Sequence, residues 1–136
     1  MYEIFPHTAD LGLRVRATTR EALFEDAARG LFALIVANPD DVRPVHVVTY
    51  DVEGAETDYL LFDWLSELLF TFDAQRLLLV EFKVEFDAHG LRAVARGETA
   101  DAARHRLEHE VKAITYHGLC VEQTADGWLA EVIVDI

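Results

Sequence analysis

The chain has 136 residues, of which 51% are hydrophobic and 27% charged, with 7 glycines and 3 prolines, so it carries enough apolar material for one folded core and excludes a disordered chain. Its 12 basic and 25 acidic residues sum to −13, and protonating all six histidines would still leave −7. Strong direct capture of a nucleic-acid backbone is therefore disfavoured, because that binding rests on Lys and Arg neutralising phosphates.

Residues 1–136 are expected to form one domain, since two cores would each be starved at this length. The lone Cys120 closes no internal disulfide and fits a reducing cytoplasm. No basic leader and no apolar run of membrane length is seen, which points away from secretion and membrane insertion.

Leu11, Leu13, Val15 and Ala17 alternate with Gly12, Arg14 and Arg16, the period of a half-buried strand. Thr18-Thr19-Arg20-Glu21 reads as a capping box, with Thr18 and Glu21 as its partners, so a helix should follow. Phe24, Ala28, Leu31 and Ile35 form its apolar face, and Asn38-Pro39 ends it. Val45–Val52 predicts a strand. Leu60, Leu61, Trp64, Leu65, Leu68, Leu69 and Phe72 then make a broad stripe at helical period, started by Thr57-Asp58. This is the main core helix.

Val80, Phe82, Val84 and Phe86 alternate with charged residues and turn at Ala88-His89-Gly90 into a strand over Leu91–Gly97, an antiparallel hairpin. A short helical turn is expected at Asp101–Leu107, then a strand over Val111–Gln123. A second hairpin through Thr124-Ala125-Asp126-Gly127 leads into Trp128–Ile136, with Trp128, Ala130, Val132 and Val134 on one face. The order predicts an α+β fold: two main helices packed on mostly antiparallel β-sheet in a single compact domain.

Three constellations could carry chemistry. His7-Thr8-Ala9-Asp10 with Gly12 sits at the mouth of a strand, where Asp10 could hold a hard cation through oxygen. A local hydrogen-bonded turn made by Asp10 or Thr8 is the simpler reading on spacing alone. At the other end, Asp135 and the α-carboxylate of Ile136 put two acidic groups within one residue. Ordering both in a strand calls for a cation or strong donors, whereas a frayed end needs neither.

The third is the stretch Arg104–His117. His105 and His109 have the helical spacing of two zinc ligands, but Arg106 stands where a His-Glu-x-x-His site has its Glu, and no cysteine pair completes a set. Lys112 and His117 could act as acid, base or carboxylate-orienting groups, or simply be polar strand positions. Phosphate-binding glycine loops, the serine-hydrolase elbow and a cysteine-protease setting are all missing from the sequence.

His7-Thr8-Ala9-Asp10-x-Gly12, Trp64-Leu65-x-Glu67-Leu68-Leu69, Glu110-Val111-Lys112-Ala113-x-Thr115-Tyr116-His117 and the terminal Val134-Asp135-Ile136, taken in this order, resemble the archease family over nearly the whole chain. The resemblance implies an archease-like domain without turnover of its own. It would assist an RtcB-type RNA ligase, which joins a 2′,3′-cyclic phosphate or 3′-phosphate end to a 5′-hydroxyl in tRNA splicing and RNA repair. The implied role is to promote guanylylation of the ligase's active-site histidine and multiple turnover. It also implies divalent-metal binding by Asp10, Asp135 and Ile136; His7, Lys112 and His117 are candidate supporting or partner-contact residues. All-oxygen ligands favour a hard ion, Ca²⁺ first, with Mg²⁺ or Mn²⁺ as alternatives. Two other readings compete: a small metal-dependent phosphoester hydrolase using His7, Asp10, Lys112 and His117 directly, and a chaperone-like binding protein.

Overall fold

A computed structural model describes residues 1–7 and 10–136; the reading of Thr8 as a turn former lies outside them. The elements run β1 (Tyr2–His7), β2 (Asp10–Ala17), α1 (Arg20–Ile35), β3 (His46–Glu53), α2 (Thr57–Gln75), β4 (Leu77–Phe86), β5 (Gly90–Thr99), β6 (Ala113–Ile114), β7 (Cys120–Thr124) and β8 (Gly127–Asp135). The strands divide into two sheets, every pair antiparallel: β1-β2-β8, continued by β6 and β7 side by side along β8, and a smaller β3-β5-β4. The α+β class with two helices is as expected.

Both helices touch both sheets. α1 packs on β4 and on β1, β2 and β8, while α2 meets β3 to β5 and also β6 and β7. Trp64, fully buried, ties the helices together: its indole N–H donates to the Phe24 carbonyl at 3.0 Å, and its ring stands edge-on to Tyr50. The small sheet's β4 edge is blunted by α1, whose Glu25 carboxylate accepts from the Val84 N–H at 2.9 Å.

Several boundaries move, each for a local reason. The cap of α1 is Thr19, not Thr18, with its hydroxyl accepting from the Ala22 N–H, so the Thr18–Glu21 box does not form. The helix stops at Ile35, short of Asn38-Pro39, because Val36 is already extended and bridges Leu107. β1 shows no strand signal in the sequence; it is an edge strand, exposed at Glu3, Ile4 and Pro6.

Asp101–Leu107 is a hydrogen-bonded turn and extended chain rather than a helix. Tertiary bonds order it instead: the Asn38 amide donates to the Arg104 carbonyl at 2.9 Å and accepts from the Arg106 N–H at 2.8 Å. Glu108 and His109 in turn donate to the Ile35 and Leu34 carbonyls at the end of α1.

Beneath this segment lies a polar knot. Glu98, 8% exposed, accepts from the Arg43 N–H at 2.6 Å and pairs with Arg104. Buried His105 accepts from the Asp101 N–H on Nδ1 at 2.9 Å, and its Nε2 lies 3.3 Å from Glu98 without hydrogen-bond geometry. The expected strand over Val111–Gln123 is interrupted: the chain leaves β8 between β6 and β7, turning at Tyr116–Leu119 with Gly118 at φ +65°, a conformation that favours glycine.

Candidate functional site

Period-2 alternation and the strand register decide which side chains share a face. Phe5 opposes Gly12 and Gly12 opposes Ile133; one row on, His7 opposes Asp10. Leu11 opposes Val134, so the next step of the same register sets Asp10 against Asp135, which in turn opposes Ala113. His7, Asp10 and Asp135 therefore form one row across three strands, on the face turned away from the core residues Leu13, Val15, Val132 and Val134. Each of the three is half-buried.

The second row, Phe5, Gly12 and Ile133, is the floor beside them. A Cβ on Gly12 would fall inside the Phe5 ring, so this glycine is the shelf on which the ring lies. The Arg14 guanidinium covers the ring at 4.6 Å while its Nε pairs with Glu131 at 3.1 Å. Ile133 is 5% exposed although it faces away from the main core.

The loop after β6 reaches this face. The Thr115 amide and hydroxyl both donate to the Ile133 carbonyl, at 3.0 and 2.8 Å, and the space over Gly118 is bounded by the Ile133 side chain. His117, exposed, comes to 5.3 Å from His7 between ring centroids. On the other side of the loop Tyr116 stacks on Phe62 of α2 at 3.9 Å and meets Tyr59 edge-on. The loop is thus pinned by an aromatic anchor on one flank and by strand β8 on the other.

Strand β8 runs as far as Asp135, and the half-buried Ile136 follows it directly. Lys112 is tied to the row by its backbone: its N–H donates to the Asp135 carbonyl at 2.7 Å, while its exposed side chain lines a hollow with Asp73, Arg76, Glu108 and Glu110. Among the described residues no ion pair joins Lys112 to a carboxylate. Lys112 and His117 are consequently not neighbours on one strand surface: Lys112 precedes β6, and His117 sits in the turn.

Two carboxylates on directly opposed positions repel unless a cation or donors stand between them. The Asp10 and Asp135 side chains present oxygen donors only, a chemistry that suits a hard divalent ion. Among the described residues no group of three or more His, Cys, Asp or Glu side chains gathers at metal-binding spacing. The His105–His109 zinc spacing comes to nothing, since the segment is not helical and His105 is engaged in the Glu98 knot. Cys120 is a poor nucleophile, as burial and then the nearby Glu122, Glu131 and Asp58 carboxylates push its thiol up.

The matching family model is that of the Archease protein family (MTH1598/TM1083), over residues 2–136. The chain belongs to the archease family. Protein archease of Methanopyrus kandleri is 40% identical over 99% of both chains, and that of Pyrococcus furiosus 38% identical over 99% of this chain and 98% of its own. The solution structure of protein 1598 of Methanobacterium thermoautotrophicum superposes with a TM-score of 0.83 at 31% identity, covering 99% of this chain and 98% of that one. An archease of Thermotoga maritima described as a "possible chaperone" shares the fold, with a TM-score of 0.64 at 18% identity.

The aromatic floor and anchor were not singled out in the sequence, though Phe5 stands two residues from His7 and Tyr116 adjoins His117. Of the archease motifs, the Trp64–Leu69 block is mainly core, with Glu67 exposed. No helix among the described residues is long and apolar enough to cross a membrane.

Proposed function

We propose that this chain is an accessory protein of an RtcB-type RNA ligase in tRNA splicing or RNA repair, promoting guanylylation of the ligase's active-site histidine and its multiple turnover. It works in the cytoplasm, with a divalent cation held by Asp10, Asp135 and the α-carboxylate of Ile136. The observation that carries the reading is the His7–Asp10–Asp135 row, assembled from both ends of an archease-family chain onto one exposed sheet end.

Guanylylation is phosphoryl transfer, in which aligning the reactants and neutralising charge do most of the work. A bound divalent ion, Ca²⁺ by the oxygen donor set and otherwise Mg²⁺ or Mn²⁺, supplies charge neutralisation at this tip. Asp10 and Asp135 bind and orient; their fixed strand positions keep the two carboxylates side by side. The Phe5 ring and Ile133 form an apolar floor that limits water on one flank. His7 and His117 offer imidazoles to a phosphate or to the partner, and Lys112 an exposed ammonium in the hollow it shares with Asp73, Arg76, Glu108 and Glu110. The net charge of −13 fits an accessory that leaves RNA to the ligase.

The test compares guanylylated ligase formed with wild type, Asp10→Asn and Asp135→Asn, alongside the shift in melting temperature on adding Ca²⁺. Wild type should stimulate and be stabilised by the ion, and each variant should lose both effects. Equal stimulation by all three would refute the tip. Phosphoester turnover by the isolated protein would favour the hydrolase instead.

A further inference from the structure

We propose that the outward face of α2 is a docking surface for a basic protein surface, and that the ligase is its occupant; this rests on the function proposed above. Tyr59 and Phe70 are 56% and 68% exposed. Eleven residues apart, they lie on the same side of the helix about 16 Å from one another. Tyr116, 59% exposed against Phe62, extends the aromatic surface toward the loop of His117.

Every charged residue of α2 is acidic: Asp58, Asp63, Glu67 and Asp73. Asp58 stands in the first turn, where the helix dipole favours an acid, but Asp73 stands in the last turn, where it favours a cation. Between α2 and β3 lies a hollow of about 560 Å³ whose charged lining is Asp51, Glu53, Asp63 and Glu67, with Phe70 at its wall. Among the described residues none of these four carboxylates is in an ion pair.

Unpaired carboxylates around an exposed ring form a socket for arginine or lysine. The guanidinium can lie on the ring while its N–H groups reach the carboxylates. Charge complementarity thus selects a basic protein; a nucleic acid or a second copy of this acidic face would be repelled. Proteins that handle RNA carry such basic surfaces. Occupation of α2 would place the neighbouring tip loop, through the Tyr116 anchor, against the same partner.

The experiment measures binding of the full chain to the ligase by calorimetry at two salt concentrations, together with stimulation at saturating protein. Phe70→Ser should weaken binding by roughly tenfold or more, and Asp63→Asn with Glu67→Gln should weaken it and flatten its salt dependence. Stimulation at saturation should persist in both, and Val47→Ser, at an exposed position of β3, should change neither. Circular dichroism confirms that each variant is folded. Wild-type affinity in both helix variants, with stimulation intact, overturns the docking face and leaves the function standing. A wild type that neither binds nor stimulates overturns both. A dimer that Phe70→Ser converts to monomer would make the occupant a second copy, and that too overturns the proposal.

Discussion

Gly12→Ala tests whether the glycine of the N-terminal motif serves packing or the ion. The new methyl would occupy the volume of the Phe5 ring, which must swing off the sheet and leave the Arg14 guanidinium above it. Releasing a half-buried phenyl ring costs about 1 kcal/mol, roughly half the value of a fully buried one, and the exposed cation–π contact adds ~0.5–1 kcal/mol. Alanine recovers ~0.5–1 kcal/mol of backbone entropy, since Gly12 has no left-handed φ to preserve. The net expectation is a loss of about 1 kcal/mol in urea unfolding. In a Phe5→Ala background the ring is gone and only the entropy gain is left, so the sign should reverse to a stabilisation of ~0.5 kcal/mol. The same effect in both backgrounds would refute the shelf. If Gly12→Ala also abolished the Ca²⁺-dependent melting shift regardless of residue 5, the glycine would be needed for the ion.

Two further outcomes follow from the polar knot and its clip. Burial raises the Glu98 carboxyl, but the Arg43 N–H and Arg104 outweigh it and hold the group below its ordinary value of 4.5. The folded value being the lower one, its stabilisation is complete above 4.5 and is lost as pH falls through the folded value. Glu98→Gln should therefore cost about 1–3 kcal/mol near neutral pH, and the gap between its urea midpoint and that of wild type should close as pH drops below 4.5. A gap independent of pH would contradict the assignment. Asn38→Ala removes both side-chain bonds to residues 104 and 106, so amide exchange at Arg106 and Glu108 should accelerate while β2 and β8 stay protected. Uniform acceleration would show that the clip is not local.

Much of the fold was legible where structure is local. The stripe from Leu60 to Phe72 carries its own period, and the residues at those offsets are the buried ones. The alternation of β8 separates Ala130, Val132 and Val134 from Glu131 and Asp135 as read, yet Ile133 on the polar side is buried by a loop that no alternation announces. β1 escaped because its apolar Ile4 and Phe5 are adjacent and face opposite sides of the sheet, so the strand shows no period-2 alternation, and Pro6 follows them. The polar composition of Asp101–Leu107 permits a helical turn, whereas its partners are Asn38 and the end of α1, tens of residues away.

The site shows the same division more sharply. Asp10 and Asp135 are separated by nearly the whole chain, and spacing alone left each with a local explanation: a turn for one, a frayed end for the other. What joins them is the antiparallel register of β2 with β8, a tertiary fact, and a slip of one residue would send one carboxylate into the core. Such a slip would also expose either Leu13 and Val15 or Val132 and Val134, all fully buried, at a cost above the repulsion between two partly solvated carboxylates. The apolar alternation of two strands thus holds like charges together on the opposite face. Core packing fixes the geometry of the acidic tip, and the tip need contribute nothing to folding in return.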